Sequence, residues 1–290
     1  MNTRDQKLAQ VTAWASANPD IRAMLLTSSL VNPHAPVDEF SDLDIELICS
    51  DVAKYISNNS WLQRFGAIIA TVEEGEEVFE GRHAMKMVLY EDHVKIDFKL
   101  YSVPHFLEDA SGNELPEDWD IGYQVIFDKD NITALLQPPS YAPAFIHQPT
   151  GSRFSQVLND AWWDMTYVAK CLARQDIFYA KFMSEDMMRT NYLVPIIEWY
   201  IGCLHDWKVS TNKHGRLFPQ YLPGELWRAI QSTFSGADIL DNWRALFAYA
   251  DIIHQLGTAV ADRLNFVYPH ETETKVRKYL REVHKVYSRK

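Results

Sequence analysis

The spacing of hydrophobic positions changes once along this chain. Up to about residue 138 apolar side chains come in short runs or in strict alternation with polar ones, over 21–27, 42–49, 67–72, 84–90, 94–100 and 123–127, and each stretch predicts a β-strand. Leu8, Val11, Trp14 and Ala15 lie on one face of a predicted helix over 3–17 that stops before Pro19. A shorter helix, capped by Asp51, is predicted to run through Tyr55.

Proline-rich sequence at 138–153 ends this regime, and the period becomes helical. Phe154, Val157, Leu158, Ala161, Met165, Val168, Ala169 and Leu172 recur at three- and four-residue steps and predict a long amphipathic helix over 154–172. Similar patterns predict helices over 177–204 and 241–264 and a basic one over 271–287. Pro195 should kink or break the second of these unless it falls in a new first turn. The pattern therefore predicts an α+β chain with two domains, a mixed β-sheet with flanking helices over 1–145 and a helical bundle over 146–290, without internal repeats.

Length agrees with that division, since 290 residues exceed what one compact core usually organises. Acidic residues outnumber basic ones by 39 to 28, for a net charge of −11, which disfavours a nucleic-acid partner and suits a cationic one. Residues 275–290 run against this trend with seven Lys/Arg and one acid, a distribution expected of a solvated helix end. Cys49, Cys171 and Cys203 are far apart and expected to be reduced. No apolar run reaches membrane-spanning length, and the ten histidines form no metal-ligating pair. A soluble cytoplasmic protein, monomeric or weakly homo-oligomeric, is expected.

The sharpest chemical signal lies in Ser41-Asp42-Leu43-Asp44-Ile45-Glu46. On a strand Asp42, Asp44 and Glu46 share one face, either as a solvated surface or as oxygen ligands for a hard cation such as Mg²⁺. In 94–100, Lys95, Asp97 and Lys99 are likewise opposed to an apolar face. If the two strands are neighbours, Asp97 joins Asp42 and Asp44; ordinary cross-strand ion pairs of Lys95 or Lys99 with Glu46 are the plainer alternative. Upstream, the first strand runs into Ser28-Ser29 and a loop-forming connector.

A strand, a small-residue turn, a loop and a strand bearing the Asp-x-Asp pair is the layout of the nucleotidyltransferase superfamily. The segments Ser28-Ser29-Leu30-Val31-Asn32-Pro33-His34-Ala35-Pro36 and Phe40-Ser41-Asp42-Leu43-Asp44 resemble the active-site entrance of the aminoglycoside 6-adenylyltransferases. The resemblance continues in order through Trp61-Leu62-Gln63-Arg64-Phe65-Gly66, Lys95-Ile96-Asp97, Tyr167-Val168-Ala169-Lys170, Tyr179-Ala180-Lys181-Phe182-Met183, Trp199-Tyr200-Ile201-Gly202 and Tyr221-Leu222-Pro223, covering nearly the whole chain.

The resemblance implies a nucleotidyltransferase-type sheet joined to a helical acceptor-binding domain. It implies transfer of AMP from ATP to a hydroxyl of an aminoglycoside, streptomycin first, with release of pyrophosphate and antibiotic resistance as the consequence. Asp42, Asp44 and Asp97 would be catalytic and would hold two Mg²⁺ ions; Asp97 can equally be the general base. Ser28, Ser29 and Lys170 would contact the nucleotide, with Lys181 a weaker candidate. Asp164, Trp163 and Glu185 would contact the acceptor, because a polycation with flat sugar faces calls for acids and aromatics. Two positions depart from the family pattern: Ser28 stands where the family has Gly, and Leu30 where it has Arg. Glycine would allow positive φ at the turn, and the arginine would add a cation beside the triphosphate. These departures keep open two alternatives, a nucleotide-binding protein without transfer activity and an adenylyltransferase for another small hydroxylated acceptor.

Overall fold

The computed structural model describes residues 3–287; Met1, Asn2 and residues 288–290, among them Arg289 and Lys290 of the basic C-terminal stretch, lie outside them. The chain separates into two compact units, Met1–Ala144 and Phe145–Lys290.

The first unit holds six strands, β1 (Ile21–Thr27), β2 (Leu43–Cys49), β3 (Ile68–Glu74), β4 (His83–Tyr90), β5 (Lys95–Ser102) and β6 (Tyr123–Asp128), each within two residues of its expected bounds. They form one mixed sheet in the order β3-β4-β5-β2-β1-β6, with β2 and β5 parallel and the other pairs antiparallel. Helices α1 (Thr3–Ala17), α2 (Ala53–Ile56), α3 (Val103–Ala110) and α4 (Glu117–Asp120) flank it. Asp51 does not cap α2, which starts from Val52 without a side-chain cap. Leu43, Ile45, Leu47, Ile96, Phe98 and Leu100 project from one sheet face into a core with Val11, Ala15 and Trp61. Ala23, Leu25, Ile48 and Tyr101 project from the other face and pack with Phe106 of α3 and Trp119 of α4. That second face is apolar at one end only, and its other end carries the charged residues.

The second unit is helical: α5 (Gly151–Ala173), α6 (Ile177–Lys181), a π-helical segment (Phe182–Leu193), α7 (Val194–Leu204), α8 (Phe218–Tyr221), α9 (Gly224–Gln231), α10 (Ile239–Leu264) and α11 (His270–Tyr287). The apolar stripe of α5 is buried as its period requires, with Phe154, Leu158, Ala161, Met165 and Leu172 fully enclosed. Pro195 falls in the first turn of α7, and the irregularity expected there takes the form of the π segment just before it. Tyr249 and Asn191 donate to the carbonyls of Met188 and Met187, supporting backbone in the wider π turns.

Candidate active site

One face of the sheet changes from apolar to ionic along the strands. At its apolar end lie Ile48 and Tyr101. Next come Glu46 and Lys99, in register on the parallel strands, and then Asp44 and Asp97, also in register. Asp42 and Lys95 complete the ionic end. Thr27, the last residue of β1, pairs with Asp44 from the other side. The expected gathering of two strands' polar faces is therefore present, and so is the alternative ion pair, with Lys99 Nζ 3.6 Å from Glu46 Oε1.

Ser28 turns the chain out of β1 with φ 64°, the left-handed region that glycine adopts more readily. Its side chain hydrogen-bonds Asp44. A short 3₁₀ turn, Ser28–Leu30, follows, and the Val31 and Asn32 amides donate to the Ser28 carbonyl at 3.2 and 3.1 Å. Gly122, at φ 133°, supports the turn by close approach, since a Cβ there would meet the Val31 carbonyl at 3.2 Å. Ser28 and Ser29 thus lie at the carboxylates, on the turn itself.

Lys95 bridges two carboxylates. Its Nζ lies 3.0 Å from Asp42 Oδ2 and 2.7 Å from Asp97 Oδ2. Burial alone would lower the lysine's proton affinity, but Asp97 and Asp42 outweigh it and raise it. Asp44 has no such partner. Burial, and then the Asp97 charge beside it, push its carboxyl up to about 6, against the Ser28 hydrogen bond. Among the described residues Asp97 Oδ1 is buried without a hydrogen-bond partner. The donor chemistry of three carboxylates, one with an orphaned oxygen and one short of compensating charge, suits a hard divalent cation. Among the described residues no three such side chains converge to metal-ligating distance, and the cation between Asp42 and Asp97 is the lysine's own.

Below this layer Glu46 is fully buried. Trp119 Nε1 donates to its Oε2 at 2.6 Å, Oε1 accepts no hydrogen bond, and burial raises its proton affinity. Lys99 is held between Glu46 and Asp118. On the other side of β5, Met87 of β4 stands opposite Asp97 and Leu89 opposite Lys95, so an apolar edge flanks the ionic group. The polar face of 94–100 already set Lys95 beside the carboxylates, whereas the apolar neighbours on β4 follow only from the pairing of β4 with β5. The alternation of residues 84–90 shows which side chains share a face, but not their register on β5.

The helical unit brings a different set together. On one flank of α5, Trp163 is 64% exposed and meets Tyr167 edge-on at 6.3 Å. Lys170 Nζ lies 4.2 Å from the Tyr167 ring centre. Asp164 accepts a hydrogen bond from the Tyr192 hydroxyl at 2.8 Å, and burial raises its proton affinity against that bond. Glu185, in the π segment, is engaged instead by Arg189 and Lys181, so its charge is already matched within the unit. Lys181 also donates to the Ser235 carbonyl at 2.7 Å. No helix among the described residues is long and apolar enough to cross a membrane.

The family model described as streptomycin adenylyltransferase matches residues 1–283. An aminoglycoside 6-adenylyltransferase of Campylobacter jejuni is 29% identical over 262 residues, which are 89% of this chain and 88% of the relative. The enzyme of that name from Bacillus subtilis (strain 168) is 29% identical over 257 residues, 87% of this chain and 88% of its own. Among solved structures, an aminoglycoside 6-adenyltransferase from Bacillus subtilis aligns over 98% of this chain and 99% of that chain, with 24% identity and a TM-score of 0.47.

Proposed function

Because the chain belongs to the streptomycin adenylyltransferase family, we propose that it transfers AMP from ATP to a hydroxyl of an aminoglycoside, streptomycin first, releasing pyrophosphate. The observation that carries the chemistry is the in-register meeting of Asp44 and Asp97, with Asp42 joined to Asp97 through Lys95. In the reaction the acceptor oxygen bonds to the α-phosphorus while the bond from that phosphorus to the oxygen bridging to the β-phosphate breaks. The hydroxyl proton passes to a carboxylate. Asp97 suits this role because its Oδ1 is buried and unpartnered, so a hydroxyl brought to it would be its hydrogen-bond partner.

Asp42, Asp44 and Asp97 are the residues that would hold Mg²⁺, two ions in our reading, and bound metal would neutralise phosphate charge and orient the displacement. Ser28 and Ser29 would contact the triphosphate from the turn, with Lys170 as a further phosphate contact. Asp164 and Trp163 would offer charge and a stacking face to the acceptor; Glu185 supports the π segment, and contact with the acceptor would require it to exchange Lys181 or Arg189. Substrates are thus small molecules, dependence on ATP would suit a cytoplasmic enzyme, and modification of the antibiotic would give resistance.

Pyrophosphate release with ATP, Mg²⁺ and streptomycin tests this reading, with the adduct identified by mass spectrometry. Release should require both acceptor and an intact Asp42, so Asp42→Asn should be silent. Adenylylation of another aminoglycoside, but not streptomycin, would move the acceptor and keep the chemistry. A second reading, nucleotide binding without transfer, is favoured by the carboxylates' not closing to metal distance. It predicts calorimetric ATP binding with no adduct across the whole aminoglycoside panel.

A further inference from the structure

We infer that Lys95 is an exchangeable counter-ion, holding Asp42 and Asp97 while the site is empty and passing to the nucleotide's phosphates when a divalent cation takes its place. The inference rests on the metal reading above. Its basis is a contrast between two lysines on the same strand. Lys99 is 13% exposed and fixed between Glu46 and Asp118 in the buried middle of the face. Lys95 stands at the start of β5, 36% exposed, with Leu89 as its cross-strand neighbour on β4. Among the described residues the two carboxylates hold its ammonium, and both contacts are only partly buried.

The two acids it holds are two of the three candidate metal ligands. While its ammonium contacts both Asp42 Oδ2 and Asp97 Oδ2, a metal ion cannot occupy the same position between them. A lysine head group is a compact point charge on a flexible four-carbon stem, so it can change partners without moving the strand. Leaving two carboxylates for bare water is costly, whereas leaving them for a triphosphate exchanges one anionic partner for another. Metal without nucleotide should therefore bind weakly, and metal with nucleotide strongly. Lys95 thus couples the two binding events, and by linkage the coupling is reciprocal.

Mn²⁺ is a suitable probe, measured by electron paramagnetic resonance and water-proton relaxation on the whole chain, alone and with α,β-methylene-ATP. Wild-type protein should bind Mn²⁺ alone about tenfold or more weakly than in the ternary complex, within the usual range of coupling between sites. Lys95→Met should bind Mn²⁺ alone about tenfold more tightly than wild type and show a smaller gain on adding the nucleotide analogue. Lys95→Arg, which keeps the charge, should behave like wild type, a rescue that a merely structural role does not predict. Circular dichroism melts verify that each variant is folded, and Lys95→Gln replaces the Met variant if that one is not. The inference is overturned if Lys95→Met binds Mn²⁺ alone no better than wild type while Asp42→Asn loses it; Lys95 is then an ordinary ion pair and the metal reading stands. If no variant, wild type included, binds Mn²⁺ even with the analogue, the metal reading falls and the inference with it.

Discussion

The carboxylate site of the α/β unit and the ion pairs of the helical unit treat charged side chains in opposite ways. In the helical unit Glu185 is matched locally by Arg189 and Lys181, and Glu273 by Arg277. At the carboxylate site of the α/β unit the acids are set against each other, whereas elsewhere in that unit Asp20, Glu73 and Asp130 pair with Lys54, Lys86 and Arg22. Asp44 faces Asp97 in register, and the buried carboxylate oxygens without a hydrogen-bond partner among the described residues, Glu46 Oε1 and Asp97 Oδ1, lie on one face of its sheet. Helical spacing places opposite charges four residues apart, where they neutralise one another. Adjacent strands align whatever the register brings together, including like charges. Unfavourable electrostatics retained in a folded protein is the pattern that a binding or catalytic site requires.

The strongest test of this contrast is Asp44→Asn. Transfer activity should fall by about a thousandfold or more, the scale of losing a group that organises metal and phosphate. Stability should stay level or rise, because the variant removes a buried charge and its repulsion by Asp97. A thermal midpoint several degrees below wild type would place Asp44 among the structural ion pairs and erase the difference between the units. On the helical side, Asp164→Asn should raise the acceptor KM about tenfold, the scale of one hydrogen bond to a charged group, and leave the ATP KM unchanged. Equal effects on both substrates would remove Asp164 from acceptor recognition.

Glu185→Gln should behave in the reverse sense. Loss of its pairs with Arg189 and Lys181 should destabilise the fold by about 1–2 kcal/mol, seen as a lower urea midpoint, with little change in acceptor KM. If the acceptor KM rises and the midpoint does not move, Glu185 is a binding residue after all, and the helical unit does not neutralise its acids as described.

Most of the fold was legible because both periods are strong. Six alternating stretches became six strands, and the stripe from Phe154 to Leu172 became the buried face of α5. The carboxylate face was legible for the same reason, since alternation along one strand fixes which side chains share a side. Pairing was not. The sequence reached the meeting of Asp97 with Asp42 and Asp44 only on the condition that their strands are neighbours, and that Met87 flanks Asp97 depends on register between segments distant in sequence. The fate of Glu185 was hidden in the same way. Its partner Arg189 is four residues on, but the π geometry and the contact of Arg189 with Thr233 are tertiary.

A smaller effect is expected from His83, whose ring nitrogens are buried between Phe79 and Tyr101 without hydrogen-bond partners among the described residues. Burial, and then the charge of Lys99, push its proton affinity down to about 4 from an ordinary 6.5. The unfolded chain therefore binds a proton that the folded one refuses. The neutral imidazole's contribution to stability is complete above pH 6.5 and is lost as the pH falls towards 4. Asp44, raised to about 6 from 3.8, acts in the opposite sense, its folded form keeping a proton that the unfolded chain releases. His83→Leu should flatten the loss of stability between pH 6.5 and 4 relative to wild type in urea titrations at several pH values. An unchanged slope would mean that the unpaired groups of the α/β unit influence stability no more than the paired ones of the helical unit.

The smallest change in stability is expected at Ser28. In the helical unit Asn265 closes α10 at φ 55° and belongs to a type that tolerates the left-handed region, which Gln175 and Trp207 also enter. Ser28 adopts φ 64° beside the carboxylates and hydrogen-bonds one of them. Ser28→Gly would relieve about 1 kcal/mol of backbone cost while losing that hydrogen bond and adding glycine's freedom to the unfolded chain. These terms oppose each other, so net stability should change by less than about 1 kcal/mol. Asp44 should respond more clearly. The hydrogen bond favours its ionised form, so its titration midpoint should move upward from about 6 in the variant, measured by carboxyl NMR. A midpoint that stays in place would mean that Ser28 does not act on Asp44, leaving its strained turn without an electrostatic role at the site.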